Sequence, residues 1–91
     1  MQDHTKIYLK FFDYGEQDIV PCEGCGKPSN SVHHLIYRSK SGPDKVENLC
    51  ALCYGCHHRV HNNSGGREFN NELKRIHKRK YEAWVGSTGK T

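Results

Sequence analysis

The sequence predicts a small α+β domain that is stabilised by a bound metal ion, and three observations support this. Five cysteines occur in a chain of 91 residues, and they are arranged as C-x-x-C pairs. Two short runs of strand-forming residues flank a turn-rich loop, and a basic helical pattern lies near the end of the chain. Only 34% of the residues are hydrophobic. Because so small a chain buries a modest apolar core, it needs a further source of stability, which metal coordination supplies.

Three strands are predicted. Residues 6–12 (KIYLKFF) predict an N-terminal strand because β-forming residues alternate there. The segments VHHLIY and VENLCAL predict two more strands, joined by the loop RSKSGPDK, whose serine, glycine, proline and aspartate residues favour turns. The last two strands are close enough in sequence to pair as an antiparallel hairpin with a long loop.

Two helices are predicted after the strands. CYGCHHRVHNN is typical of a tight cysteine turn that leads into a short helix, which ends at the adjoining NNSGG. Residues 67–84 predict a final helix with a basic surface, in which apolar residues recur near helical spacing. These apolar residues are Phe69, Leu73, Ile76, Ala83 and Trp84, with Lys80 interrupting the stripe. Residues 85–91 predict a disordered tail, so residues 1–84 form the predicted single domain.

The cysteine spacing predicts a four-thiolate structural zinc site. Cys22 and Cys25 form one pair, and Cys53 and Cys56 form another, with 27 residues between the two pairs. The sequence CALCYGC leaves an alternative open, because Cys50 and Cys53 have the same spacing. Cys50 lies in an apolar, strand-like run, where a free cysteine behaves as a small hydrophobic residue. The pair with Cys56 is therefore preferred.

The charge of the chain is unevenly distributed. Residues 1–49 carry six basic and seven acidic residues, whereas residues 50–91 carry eight basic and three acidic residues. A basic second half is consistent with a polyanionic partner. The polar N-terminus lacks the apolar segment of a secretory signal, and no run approaches transmembrane length. Paired cysteines without a secretion signal predict a reduced, cytoplasmic protein with no membrane association.

The histidines predict a second, open metal site. His57 and His61 are four residues apart, so they lie on one face of the predicted helix, and His58 points away from it. Because these two imidazoles leave a metal under-coordinated, a third ligand is needed. His33 and His34 are adjacent on a predicted strand and therefore point to opposite faces. We expect one of them to bind the metal and the other to act as a general base.

These residues together resemble a known family. CEGC, VHHLIYRSKSGPDKVENLCALC and CHHRVH resemble the HNH endonuclease family over residues 22–61, in the order that the family shows. The resemblance implies a zinc-stabilised ββα-metal fold, also called a His-Me finger, with its core at about residues 22–62. The chain looks like the small stand-alone HNH proteins of bacteriophages and prophages.

The resemblance also implies roles for individual residues. His34 matches the general base, and Asn48 matches the central asparagine that holds the base in place. The positions that match ligands of the catalytic ion are His33, His57 and His61. The positions that match the structural zinc ligands are Cys22, Cys25, Cys53 and Cys56, which agrees with the quartet preferred from the spacing.

The implied reaction is hydrolysis of a DNA phosphodiester by water that His34 deprotonates. One divalent ion is implied, which can be Mg²⁺, Mn²⁺, Ni²⁺ or Zn²⁺, and histidine ligands favour a transition metal. We expect nicking with low sequence specificity and, by analogy, phage packaging proteins as partners. The expected DNA contacts are Arg38 and Arg59, and on the last helix Lys74, Arg75, Lys78 and Arg79. A zinc-stabilised DNA-binding module without catalysis is the alternative function, and a zinc knuckle that binds proteins is a third.

Overall fold

The computed structural model describes residues 3–89. Three helices and two strands follow one another as α1 (Asp3–Phe11), β1 (Ser31–His34), β2 (Leu49–Leu52), α2 (Tyr54–Val60) and α3 (Gly66–Thr88). Two 3₁₀ turns, Arg38–Lys40 and Val46–Asn48, lie in the connection between the strands. No helix within residues 3–89 is both long and apolar enough to cross a membrane.

The two strands form the predicted antiparallel hairpin. Ser31 pairs with Leu52 at one end of the sheet, and His34 pairs with Leu49 at the other. Each strand is four residues long and so shorter than its predicted segment. The chain leaves β1 directly after His34, so the two adjacent histidines occupy the last two positions of this strand.

The sheet is covered on both sides, and β2 is buried along its whole length. Because side chains alternate along a strand, Cys50 and Leu52 point to one side of the sheet and Leu49 and Ala51 to the other. We call the first side the knuckle cluster; its buried members are Cys22, Leu35, Cys50, Leu52, Cys56, Val60, Phe69 and Leu73. We call the second side the aromatic cluster; its buried members are Tyr8, Phe12, Val46, Leu49 and Ala51.

The N-terminal strand predicted for residues 6–12 is wrong, because this segment lies mostly within α1. The buried side chains are His4, Tyr8 and Phe12, which are four residues apart and therefore share one face of a helix. Tyr8 and Phe12 belong to the aromatic cluster, and their ring centroids are 4.8 Å apart. The alternation of β-forming residues does not determine the structure here, because the buried side chains follow a four-residue helical spacing.

The buried face of α3 differs from the predicted apolar stripe. Phe69 and Leu73 are buried as predicted, but the other buried side chains on this face include the polar residues Asn70 and His77. The predicted stripe member Ala83 is instead exposed. A hydrophobicity pattern cannot locate a face that buries an amide and an imidazole, because both residues count as polar.

Lys80 and the end of α3 also differ from expectation. The Lys80 ammonium lies 4.8 Å from the ring centroid of Phe12 and within 6 Å of two more aromatic rings, so its charge is accommodated within the helix stripe. The helix continues to Thr88, so residues 85–88 are helical rather than a disordered tail. Residues 90–91 of the predicted tail lie outside the described residues.

A buried ion pair connects α3 to the first cysteine turn. The side chains of Glu23 and His77 are 2% and 1% exposed, and their nearest atoms are 2.8 Å apart. His77 Nε2 lies 2.7 Å from the carbonyl oxygen of Val46, which can only accept a hydrogen bond. Glu23 also accepts hydrogen bonds from the Tyr8 hydroxyl and the Ala51 backbone N–H. One network therefore joins α1, β2, α3 and the cysteine turn.

The protonation state of this network follows from its partners. Burial alone would raise the pKa of the Glu23 carboxyl, but the hydrogen bond and charge of His77 and the hydrogen bond from Tyr8 hold this pKa below its usual value. The carboxylate is therefore ionised, and His77 donates both of its ring N–H groups. His77 is an imidazolium ion buried against a carboxylate.

We predict that His77→Ala destabilises the domain by about 3–5 kcal/mol, because it leaves a buried carboxylate without its cation. Denaturant unfolding of the zinc-loaded protein measures this loss. Glu72→Ala, at an exposed position of the same helix, is the matched control and should change the free energy of unfolding by less than about 0.5 kcal/mol. An equally small change in His77→Ala would show that the ion pair does not stabilise the fold.

Candidate active site

Four cysteine thiols form a cluster beside β2. The sulfur atoms of Cys22, Cys25, Cys53 and Cys56 all lie within 4.8 Å of one another, and those of Cys25 and Cys53 are 3.6 Å apart. Zinc–sulfur bonds of about 2.3 Å place two thiolates of a tetrahedral site roughly 3.8 Å apart. The four thiol donors and their proximity fit a tetrahedral zinc ion. The structure thus brings together the quartet that the sequence analysis preferred.

Backbone geometry supports metal-binding thiolates at this cluster. Cys53 caps the N-terminus of α2, where its sulfur accepts a hydrogen bond from the Cys56 backbone N–H. This bond is the main reason that the pKa of Cys53 falls to about 7. The Cys22 sulfur accepts a similar bond from the Gly24 backbone N–H. Burial and the hydrogen bonds with the Cys22, Cys25 and Cys53 thiols raise the pKa of Cys56.

Cys50 belongs to a different environment. It is fully buried close to Glu23 and His77. The carboxylate and both imidazole nitrogens of this group already have protein hydrogen-bond partners, and burial raises the pKa of the Cys50 thiol. This group is therefore a hydrogen-bonded part of the core rather than a third metal site.

Three histidines form a second cluster on the side of the sheet that faces α2. One ring nitrogen of each of His33, His57 and His61 lies within 4.8 Å of the others. His33 comes from β1 and is buried, whereas His57 lies one turn before His61 at the end of α2. Burial lowers the pKa of His33 to about 4, and burial also lowers the pKa of His57. A lowered pKa favours the neutral form of His33 and His57, which is the form that binds a divalent metal.

His34 points to the other side of the sheet. Its Nε2 lies 2.6 Å from Asp44, which is also within 3.1 Å of Arg38. The hydrogen bond from His34 and the contact with Arg38 hold the pKa of Asp44 below its usual value. On the remaining side, the His4 ring lies 4.7 Å from the His34 ring, centroid to centroid. His34 is therefore held between the loop that precedes β2 and helix α1.

The sequence did not identify Asp44 as a site residue, although its hydrogen-bond partner Arg38 was expected to contact DNA. The loop brings Asp44 close to His34 because the chain turns tightly at Gly42, whose N–H bonds to the Tyr37 carbonyl. A Cβ atom at Gly42 would come within 1.7 Å of the Ile36 carbonyl oxygen, so no other residue fits there. An acidic residue directly after such a turn is the signal in the sequence that could have identified it.

The side chain of Asn48 holds both ends of the same loop through hydrogen bonds. Its amide accepts a hydrogen bond from the Ile36 backbone N–H at 2.7 Å, and it donates to the carbonyls of Ile36 and Pro43. Its own carbonyl accepts from the Leu35 N–H. These bonds join the chain that follows His34 to the chain that precedes Asp44.

A groove of about 520 Å³ begins at His61 and runs between the loop after β1 and the start of α3. Its cations are Lys40, Arg67 and Lys74, and its amides are Asn62, Asn63, Asn70 and Asn71. None of the described residues that line it is acidic. We call it the amide groove. Its charge and its position beside the histidine cluster are those of a binding surface for a polyanion.

Of the residues expected to contact DNA, Lys74 lines this groove and the others lie outside its lining. Helical spacing places Arg67, Lys74 and Lys78 along one side of α3. The same spacing places Arg75 and Arg79 on the side of α3 opposite Asn70. Arg59 lies over the ring of Phe69, 4.0 Å from its centroid, and Arg38 pairs with Asp44.

Comparisons with known proteins agree with this geometry. A profile of the HNH endonuclease family matches residues 22–63. The Type IV methyl-directed restriction enzyme EcoKMcrA of Escherichia coli (strain K12) is 37% identical over 57 residues, which cover 52% of this chain and 21% of that enzyme. The solved structure of the Type IV phosphorothioation-dependent restriction endonuclease ScoMcrA superposes with a TM-score of 0.65 at 23% identity, covering 86% of this chain and 16% of the other.

Residues 22–63 therefore match the HNH family, and the fold is the ββα-metal fold that the sequence predicts. The chain spans about a fifth of the length of the curated relative and a smaller share of the solved chain. Both matches are restriction enzymes, so the phage packaging partners expected by analogy find no support in them.

We predict that Cys25→Ser lowers the bound zinc from about one equivalent per chain and reduces the melting temperature, because zinc binding is coupled to folding. Cys50→Ala, which removes the thiol outside the quartet, is the matched control and should keep its zinc. Metal analysis by mass spectrometry and thermal unfolding measure both effects. Full zinc content in Cys25→Ser, or its loss in Cys50→Ala, would contradict the proposed quartet.

Proposed function

We propose that this chain is a metal-dependent DNA endonuclease that hydrolyses phosphodiester bonds. One observation carries the proposal: the last two residues of β1 direct one imidazole into a three-histidine cluster and the next imidazole to an aspartate on the opposite face. The match of residues 22–63 to the HNH endonuclease family supports the class of activity, and the similarity to the restriction enzyme EcoKMcrA supports DNA as the substrate.

The histidine cluster is the proposed site of the catalytic ion. His33, His57 and His61 would hold it, and three protein ligands leave positions for water and phosphate. Imidazole ligands suit Ni²⁺ or Zn²⁺ better than Mg²⁺, which prefers oxygen ligands. When bound, such an ion stabilises negative charge on the phosphoryl oxygens and on the leaving 3′ oxygen.

His34 is the proposed general base. Asp44 accepts a hydrogen bond from its Nε2–H, so in the neutral ring Nδ1 carries the lone pair that can take a proton from water. The negative charge of Asp44 stabilises the imidazolium that forms, and the Asp44 contact fixes the orientation of the ring. Asn48 holds the loop on which Asp44 lies, so we assign it a positioning role.

The opposite orientation of His33 and His34 suits an in-line displacement. The attacking water and the leaving oxygen lie on opposite sides of phosphorus in such a reaction. His33 and His34 are adjacent at the end of β1 and point to opposite faces of the sheet. A phosphate that lies across the end of this strand would therefore be approached from two different sides. Water activation by His34 and charge stabilisation at the histidine cluster are thereby separated. The expected products are 5′-phosphate and 3′-hydroxyl ends.

We propose that the DNA backbone follows the amide groove away from the histidine cluster. Arg67 and Lys74 on α3 and Lys40 on the facing loop supply phosphate contacts. Because these contacts are to the backbone, binding is expected to have low sequence specificity. One catalytic centre per chain cuts one strand at a time, so nicking is the expected outcome.

We predict that purified protein nicks supercoiled plasmid when Mn²⁺, Ni²⁺, Zn²⁺ or Mg²⁺ is supplied and that His34→Ala reduces the rate by about 10²–10⁴-fold, since general acid–base catalysis contributes this much. His58→Ala is the matched control, because His58 is an exposed histidine of α2 outside the cluster. Agarose gels of plasmid relaxation, with an EDTA arm, report the rate. Both variants should bind DNA and zinc as the unaltered protein does.

Two results of this experiment would contradict the proposal. Normal cleavage by His34→Ala would overturn the role of His34. Intact plasmid with every metal, in a protein that still shifts DNA in a gel, would replace the nuclease with the non-catalytic DNA-binding module.

We also predict that Arg67→Ala and Lys74→Ala each reduce the salt dependence of DNA binding. Each lost phosphate contact should lower the magnitude of the slope of log K against log salt concentration by about 1. Arg79→Ala removes the same charge from the opposite side of α3 and should leave the slope nearly unchanged. Fluorescence anisotropy at several salt concentrations measures the slopes. Equal reductions in all three variants would show that DNA binding depends on net charge rather than on the groove.

A further inference from the structure

Asn70 is a buried amide in contact with the histidine cluster, and it lies outside the residues that match the family profile. It comes from α3, and the residue is 8% exposed. Its Oδ1 is 3.0 Å from Nε2 of His33, and its Nδ2 donates to the Leu35 carbonyl at 2.9 Å. Both ends of the amide therefore contact the chain at and directly after the end of β1.

The orientation of this amide determines the tautomer of His33. The Leu35 carbonyl can only accept a hydrogen bond, so the NH₂ group of Asn70 must face it and the amide oxygen must face His33. An amide oxygen is also only an acceptor, so Nε2 of His33 must carry a proton. A histidine binds a metal ion as a neutral imidazole, so with Nε2 protonated the lone pair that His33 can offer is on Nδ1.

We propose that Asn70 is a positioning residue that selects the Nδ1 lone pair of His33 as a ligand of the catalytic ion. This inference rests on the proposed function, since it concerns the same metal centre. His57 provides a parallel in the same cluster, since its Nδ1 is 3.3 Å from the Ser31 hydroxyl, which leaves Nε2 available. Histidines that bind metals usually donate their second ring N–H to such a partner, and loss of the partner weakens metal binding.

The proposal assigns a metal-site role to a residue far from the motif in sequence. Without Asn70, Nε2 of the buried His33 would lose its acceptor, and the Nδ1–H tautomer, which has no lone pair on that nitrogen, would become accessible. The ring would also lose the contact that fixes its rotation. Both effects reduce the fraction of molecules whose three imidazoles are ready to bind, which lowers metal affinity before any substrate is present.

Calorimetric titration of Ni²⁺ into the zinc-loaded protein, without DNA, tests this. A His57→Ala variant first identifies the heat that belongs to the histidine cluster. We expect Asn70→Ala to weaken this binding by about 10- to 100-fold. Asn70→Asp is the conservative variant and should recover most of the affinity, because a carboxylate accepts the same Nε2–H. Glu72→Ala alters an exposed position of the same helix outside the amide groove and should bind Ni²⁺ as the unaltered protein does.

Zinc content and melting temperature, measured on each variant, confirm that it folds, and Asn70→Asp provides the second test if Asn70→Ala unfolds. Affinity in Asn70→Ala within about twofold of the unaltered protein would falsify the positioning role. Folded Asn70→Asp that binds as weakly as Asn70→Ala would also overturn it, because the contact with Leu35 would then account for the loss.

The outcomes separate this inference from the nuclease proposal. An effect of Asn70 on Ni²⁺ affinity in a protein that never cleaves DNA would support the positioning role and refute the nuclease. Cleavage of DNA by a protein whose Ni²⁺ affinity does not depend on Asn70 would support the nuclease and refute the positioning role. Titrations in which His57→Ala changes nothing would overturn the metal centre and the role of Asn70 together.

Discussion

The pairing of β1 with β2 is the constraint on which the rest of the structure depends. Directly opposed residues of an antiparallel pair share a face, so His33 lies on the side of Cys50 and His34 on the side of Leu49. The knuckle cluster covers the first side, and the aromatic cluster covers the second. A shift of one residue in this register would exchange the two faces and send His34, rather than His33, towards α2.

A sheet of two four-residue strands is not stable by itself, so its register must be fixed from outside. The cysteine quartet does this at one end, because it joins the turn before β1 to the start of α2, which follows β2 directly. The buried pair of Glu23 and His77 joins the same turn to α3. Glu23 directly follows Cys22 in the sequence. The cysteine quartet and the ion pair therefore constrain the same short segment, the turn before β1. The two interactions therefore support each other.

The sequence predicts the parts of the site whose chemistry has a fixed spacing. Two C-x-x-C pairs, histidines four residues apart and two adjacent histidines on a strand each have a local geometry that follows from covalent structure. The structure brings these residues together as expected. Their roles in metal binding and catalysis remain proposals. The preference for Cys56 over Cys50 also agrees with the structure, because an apolar neighbourhood correctly indicated a core position.

The remaining features depend on contacts that local patterns do not encode. Residues 6–12 have strand-forming composition, but the face they bury depends on which surface of the sheet is left uncovered. Asn70 and His77 are polar, so only their partners, His33 and Glu23, make them part of the core. Asp44 becomes significant only after the turn at Gly42 places it beside His34. In each case the missing information is a long-range partner rather than a propensity.

Helix α3 connects these separate parts of the molecule. Asn70 contacts the histidine cluster at His33, and His77 contacts the cysteine turn through Glu23. Lys74, between them in sequence, lines the groove proposed for the DNA backbone. A rigid helix keeps these three side chains at fixed spacings, so a displacement that disturbs the ion pair also displaces the amide and the groove. The 42-residue family match ends before this helix begins. The motif therefore contains the histidine and cysteine clusters, whereas the helix that follows it contacts both of the segments that hold them.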